Sequence, residues 1–219
     1  ISNNSPVCYG KNVLLNSGGG TSYAWKGPNN FASTSQNPTL TNVKYIDTGA
    51  YWVIVTNSYG CKDSTHTHVT LYSLPSITIS SNSPLCTGKT LQLNSSSGNL
   101  YNWRGPKGFS STSQNPTRSA ITVSDSGLYW VKVTNSNSCV DSASTRVVVY
   151  PLPNITIGSN SPVCIGATIQ LNSSGGTSYN WKGPNGFTSS IQNPSRTNSV
   201  LADSGYYWVR VTNSYACID

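Results

Sequence analysis

The residues of this chain with the clearest capacity for covalent chemistry are its six cysteines, and their spacing is regular. Cys8, Cys61, Cys86, Cys139, Cys164 and Cys217 are separated by 53, 25, 53, 25 and 53 positions. Thiols so placed can oxidise to disulfides or ligate a soft metal. Structural zinc sites draw on cysteines a few residues apart, usually with histidine. Here no cysteines stand close together, and the two histidines, His66 and His68, belong to one stretch only. No metal site is expected. Disulfides are, and with them an oxidising compartment: extracellular or cell surface.

Acid–base chemistry has little to work with. The chain has no glutamate, and its six aspartates fall on two recurring positions: Asp47, Asp125 and Asp203, then Asp63, Asp141 and Asp219. No acid is left over for a catalytic carboxylate pair or a calcium cluster. No Ser–His–Asp arrangement recurs. Neither an enzyme nor a cofactor is expected. The net charge is +7, from 13 basic and 6 acidic side chains, and the basic residues are scattered without a run. That pattern describes a solvated surface. A polyanion partner such as an acidic glycan is compatible with it outside the cell, and nucleic acid is not expected there. No apolar run has membrane-spanning length, so no membrane insertion is expected either.

The elements that position these residues repeat every 78 positions without insertion or deletion, as Cys8, Cys86 and Cys164 show. An active site is normally built once, whereas an array of equal modules serves reach, stiffness or multivalency. The expected domains are 1–74, with its first strand missing, 75–152, and 153–219, with its last strand missing. The chain reads as a window on a longer repetitive protein. Each unit is small enough to need a disulfide beside its core. Ser, Thr, Asn, Gly, Tyr and Val dominate, and no stretch has helical periodicity, so the class is all-β.

In the second unit, Ile77–Ile79, Leu91–Leu93, Tyr101–Arg104, Ile121–Val123 and Asp125–Val133 read as strands, with Val147–Tyr150 as the last. Ser83–Gly88 reads as a turn, Gly105–Phe109 as a tight loop, Gln114–Pro116 as a further turn and Asn135–Ser138 as a hairpin. In the first unit Asn30 replaces the second glycine of the tight loop, as the residue that best tolerates a left-handed backbone after glycine. The joints Leu74-Pro75-Ser76 and Leu152-Pro153-Asn154 are short and stiffened by proline.

Trp25, Trp103 and Trp181 on the third strand, with Asp47-Thr48-Gly49-Ala50-Tyr51, Asp125-Ser126-Gly127-Leu128-Tyr129 and Asp203-Ser204-Gly205-Tyr206-Tyr207 before the sixth, resemble the immunoglobulin-like fold. The resemblance covers the whole chain and implies tandem immunoglobulin-like β-sandwiches, arranged as beads on a string. One departure is plain. The family's core cysteine pair is replaced by Val53, Val131 and Val209 opposite Leu15, Leu93 and Leu171. The S-P-x-C-x-G, W-x-G-P-x-G-F, Q-N-P and D-S-G-x-Y-x-V-x-V-T-N patterns, with a cysteine just after, are similar to immunoglobulin-like repeats of large bacterial surface adhesins and secreted filament proteins. That resemblance implies an exported, non-enzymatic stalk or filament whose partners are neighbouring modules of the same long chain or filament.

In that fold two disulfide patterns are open. Pairing within modules joins Cys8–Cys61, Cys86–Cys139 and Cys164–Cys217, and it is the leading expectation, given short strands and a loose first strand. Pairing between modules joins Cys8–Cys139 and Cys86–Cys217, and leaves Cys61 and Cys164 to modules further along. It follows from Cys8 and Cys61 lying at opposite ends of a sandwich, beyond the roughly 7 Å that a disulfide spans between Cα atoms.

Two surface features are candidates for function. Strand alternation buries Tyr51, Val53 and Val55 and turns Trp52 outward, together with Trp130 and Trp208. Lys26, Arg104 and Lys182 lie on the neighbouring strand, within reach of a cation–π contact. The set is either a repeated platform for a sugar or protein, or packing on its own module. Ser64 and Ser142, each after an aspartate, match a short bacterial O-glycosylation pattern, which would make the chain a glycoprotein.

Overall fold

A computed structural model describes all residues, 1–219. The first module contains β1 (Ser2–Asn3), β2 (Val7–Cys8), β3 (Val13–Asn16), β4 (Ser22–Lys26), β5 (Ala32–Ser33), β6 (Thr39–Leu40), β7 (Gly49–Thr56), β8 (Lys62–Val69) and β9 (Leu71–Tyr72). The second repeats them as β10 (Ile79–Ser81), β11 (Leu85–Cys86), β12 (Leu91–Ser95), β13 (Leu100–Arg104), β14 (Ser110–Ser111), β15 (Thr117–Arg118), β16 (Gly127–Thr134), β17 (Val140–Val147) and β18 (Val149–Tyr150). The third has β19 (Thr156–Ser159), β20 (Ile169–Ser174), β21 (Ser178–Lys182), β22 (Thr188–Ser189), β23 (Ser195–Arg196) and β24 (Trp208–Thr212).

Each of the first two modules is a sandwich. One sheet runs β1-β3-β6 or β10-β12-β15, and the other β5-β4-β7-β8 or β14-β13-β16-β17. The inner faces follow from period-two alternation. Leu91, Leu93 and Ser95 point in while Gln92 and Asn94 point out. Trp103 pairs with Val131 across the second sheet. The core of the second module is Leu91, Leu93, Trp103, Ile121, Tyr129, Val131, Val133, Val147 and Val149. Leu93 and Val131 pack where the fold's usual cystine would lie, so aliphatic contact replaces the covalent pin. In the third module a groove lined by Ile157, Val163, Ile169, Trp181 and Tyr207 lies where Val147 and Val149 complete the second.

Three sequence expectations are corrected. The first module does have its first strand: β1 pairs with β3 through Ser2↔Asn16 and Asn3↔Leu15. Ile121–Val123 is not a strand. Ile121 is fully buried, but Val123–Asp125 turns as a 3-10 helix. The β-branched run reads as extended, yet the Asp125 carboxylate takes both the Thr122 N–H, at 2.7 Å, and its hydroxyl, at 2.8 Å, which closes the chain into a turn. Ser83–Gly88 is more than a turn, because it contains β11, which pairs in parallel with β18 through Leu85↔Val149 and Cys86↔Tyr150. The equivalent β2 and β9 pair through Cys8↔Tyr72. This short parallel ladder carries the first cysteine of each of the first two modules to the end of the last strand.

The Gly-Pro loop has the expected turn chemistry. Asn29, Asn30, Lys107 and Asn185 have φ between 51° and 56°. Gly105 is required for another reason. A Cβ there would sit 2.5 Å from the Tyr129 ring, which stacks edge-on to Phe109. Tyr129 is held by its hydroxyl, which donates to the Asp125 carbonyl at 3.0 Å, and the same bond recurs at Tyr51 and Tyr207. This is the tyrosine corner of immunoglobulin-like sandwiches.

Candidate functional site

The most elaborate constellation in the molecule is the joint between modules, which occurs twice in the same form. Cys8 of the first module is bonded to Cys139 of the second, and Cys86 of the second to Cys217 of the third. Their Cα atoms lie 5.5 and 5.6 Å apart, and each bond spans 131 residues of sequence. Pairing within modules, the leading expectation, is therefore overturned. The physical reason is the parallel ladder. It fixes Cys8 beside Tyr72, at the far end of the β8–β9 segment, whereas Cys61 precedes that segment. At about 3.3 Å per residue the two ends of the segment are roughly 35 Å apart. Cys61 and Cys164 are free and exposed.

Around each disulfide the hairpin of one module grips the linker of the one before. The Asn135 side-chain carbonyl accepts from the N–H groups of Asn137 and Cys139, both at 3.0 Å, which folds the hairpin. Its amide donates across the joint to the Ser73 carbonyl at 2.9 Å. Asn213 repeats this with Tyr215, Cys217 and, across the joint, the Pro151 carbonyl at 2.9 Å. At the second joint the Tyr150 and Tyr215 rings stack, with centroids 4.1 Å apart and planes 10° off parallel. Pro75 and Pro153 are buried, as are Cys139 and Cys217. In a chain-entropy picture each 131-residue closure is worth about 5 kcal/mol, although the two loops interlock and do not simply add. The asparagines were not among the expected site residues. Their signal is Val-Thr-Asn, recurring unchanged at Asn57, Asn135 and Asn213.

The other expected sites lie on the broad outer sheet. Trp52, Trp130 and Trp208 face outward, with exposures of 49%, 51% and 70%. Lys26, Arg104 and Lys182 stand directly opposite them in register. The Trp52 ring instead lies against His66, with centroids 4.4 Å apart and planes tilted by 31°. The cation–π contacts that form are elsewhere, Arg118 over Phe109 and Arg196 over Phe187. Ser64 and Ser142 are exposed, and the preceding aspartate of each accepts its backbone N–H.

Two ion pairs brace the sandwiches, Arg118–Asp125 at 2.7 Å and Arg196–Asp203 at 2.6 Å. Burial pushes the Asp125 carboxyl up, but the Thr122 hydrogen bonds and the Arg118 and Lys107 charges outweigh it, and the net shift is down. Asp203 is also held down, first by the Val200 N–H and then by the Asn185 amide. Burial, helped by Asp47, raises the Tyr51 hydroxyl from 10.0 to about 12. A depressed carboxylate stabilises the fold fully above its unfolded value of 3.8 and loses that contribution as pH falls through the lower folded value. A raised tyrosine stabilises fully below 10.0 and loses its contribution as pH rises toward 12. Thermal melts with the free thiols alkylated should therefore be flat from neutrality to about pH 5 and should decline only below the ordinary carboxylate range. A midpoint that climbs on acidification through pH 4 would contradict these assignments.

The fold and joints define a tandem array of immunoglobulin-like β-sandwiches, of a kind built for structure or binding. The second module, residues 73–149, matches the family model of the PKD-like domain. No curated protein matches the chain. Among solved structures, the three N-terminal domains of the bacteriophage RB49 Highly Immunogenic Outer Capsid protein are 17% identical, over 94% of this chain and 89% of that one, with a TM-score of 0.39. Murine CEACAM1b is 14% identical over 68% of this chain and 98% of its own, with a TM-score of 0.32. The amphioxus IgVJ-C2 molecule is 16% identical over 64% and 98%, with a TM-score of 0.30. The disulfides point to an extracellular or secreted setting. No helix is long and apolar enough to cross a membrane.

Proposed function

We propose that this chain is a structural segment of an exported bacterial surface adhesin stalk or extracellular filament, without catalytic activity. The observation that carries the reading is the repeated stapled joint. Free-standing binding domains on a string need only a linker. Here each linker is flanked by a disulfide, gripped by an asparagine and anchored by a buried proline. That is how a chain keeps its modules in line, and three of them at roughly 30–40 Å each make a rod on the order of 100 Å. Immunogold electron microscopy of thin-sectioned cells, with antibody raised against the segment, tests it. Label along threads or fibres outside the cell is expected, and label confined to the cytoplasm would refute it.

A second reading is a multivalent array that binds carbohydrate or protein through its tryptophan rows, favoured by the half-exposed ring in the same place on each module. Three weak sites in series would gain by avidity on a repetitive ligand. Replacing Trp52, Trp130 and Trp208 together by alanine separates the two readings. Lost glycan binding with unchanged melting supports the platform, and lowered melting alone assigns the rings to packing. Ser64 and Ser142 fit glycan attachment by their exposure, and the intact mass of the native segment measures it against 23.3 kDa.

A further inference from the structure

The two disulfides do not merely join neighbours. They overlap, and the overlap defines two covalent routes along the array. One runs through the Cys8–Cys139 bond and then along the backbone to Cys164. The other runs from Cys61 along the backbone to Cys86 and then through the bond to Cys217. Each uses one disulfide and 25 residues of backbone. Those backbone pieces are the last strand of one module, the linker and the first strand of the next. From Val140 to Asn160 the chain makes no turn, nor does it from Lys62 to Ser83. Such segments already stand near full length. A strand rises about 3.3 Å per residue and a fully pulled chain reaches about 3.6 Å, so tension can lengthen them by only about a tenth.

Everything else is off the routes. Cys86 and Cys139 bracket the body of the second module, and that body includes Trp103, Asp125, Tyr129 and Val131. Neither route passes through it. We infer that the interleaved disulfides make the array a nearly inextensible tether, in which tension travels along first and last strands and bypasses the folded body of the second module. An ordinary string of sandwiches lengthens several-fold when a module gives way. This one holds its length even when the bypassed body unfolds, because the released chain is a closed loop. A further module of the same register would continue the routes from Cys61 and Cys164, the two cysteines left exposed and free. The value of such a tether rests on the stalk reading, whereas the routes themselves rest only on the disulfides.

Single-molecule stretching of the 219-residue segment tests the inference. Handles are placed on the Ile1 amine and the Cys164 thiol, in a Cys61→Ser background so that one thiol reacts. The oxidised route has 7 steps from Ile1 to Cys8 and 25 from Cys139 to Cys164. At high force it should reach roughly 115 Å, and addition of a phosphine reductant should release it to roughly 560 Å. A second tether, from Cys61 to Asp219 in a Cys164→Ser background, should reach roughly 100 Å before reduction. An oxidised first tether that extends to roughly 385 Å, the length if Cys86 pairs with Cys139, overturns the inference, as does one that starts at its reduced length. Short tethers without threads on cells would remove the stalk and keep the routes. Threads on cells with long tethers would do the reverse.

Discussion

Replacing Trp103 by alanine should strongly destabilise the body of the second module while leaving the first module intact. Trp103 is fully buried, pairs in register with Val131, and shares its core with Leu93, the residues that stand in for a core cystine. Truncating a buried tryptophan costs about 3–5 kcal/mol, from lost transfer energy and an unfilled cavity. A module of this size has only about 4–12 kcal/mol in total. No disulfide runs through the core to restrain it, since both cysteines of the module are committed to its neighbours. Hydrogen exchange should show the segment Tyr129–Val133 losing protection by several hundred-fold or more, while Tyr51–Val55 in the first module keeps its own. Equal protection in both segments would mean that the aliphatic pair, not the tryptophan, carries the core. Trp103→Phe should be milder, because the Trp103 indole N–H has no acceptor. Trp25, by contrast, donates to the Ser35 carbonyl at 3.0 Å.

That core was legible from the sequence for a simple reason. Alternation along Tyr129–Val133 sorts inward from outward residues without any knowledge of partners, and the repeat confirms the sorting three times over. The joints were legible only in part. The end-to-end position of Cys8 and Cys61 follows from strand order, but the ladder between β2 and β9 that enforces it is two residue pairs long and carries no pattern of its own. A loose first strand would have left pairing within the module open, and local sequence does not distinguish a loose strand from a pinned one. The Ile121–Val123 error has the opposite origin. Strand propensity is a sum over side chains, and one carboxylate three residues on, aimed at the Thr122 N–H, outweighs it. Asn135 stood out as the end of a recurring Val-Thr-Asn, but its role did not, because its amide bonds to the Ser73 carbonyl, 62 residues away and in another module.

The ion pair at Asp125 gives the second large effect, and the first module shows how to relieve it. Arg118 does three things: it neutralises Asp125, donates to the Pro106 carbonyl at 3.0 Å, and lies over the Phe109 ring. The first module has Leu40 at that position, buried in its core, and there Asp47 is satisfied by the Asn29 amide at 3.0 Å. The second module has Lys107 where the first has Asn29, so it has no amide to offer. Arg118→Leu should therefore leave a buried carboxylate short of a partner and cost about 3 kcal/mol, at the low end for breaking a buried pair because the Thr122 bonds remain. Adding Lys107→Asn rebuilds the arrangement of the first module and should restore about 1.5–3 kcal/mol, the worth of a hydrogen bond to a charged group. Asparagine also suits the left-handed backbone there, where Lys107 has φ 52°. Denaturant midpoints for the wild type, both single variants and the double close a thermodynamic cycle. A favourable coupling means that lysine and arginine in one module, and asparagine and leucine in another, are two solutions to the same buried charge. Additive losses would mean that Asp125 depends on Arg118 alone, and that the first module is stable because its aspartate is less deeply enclosed.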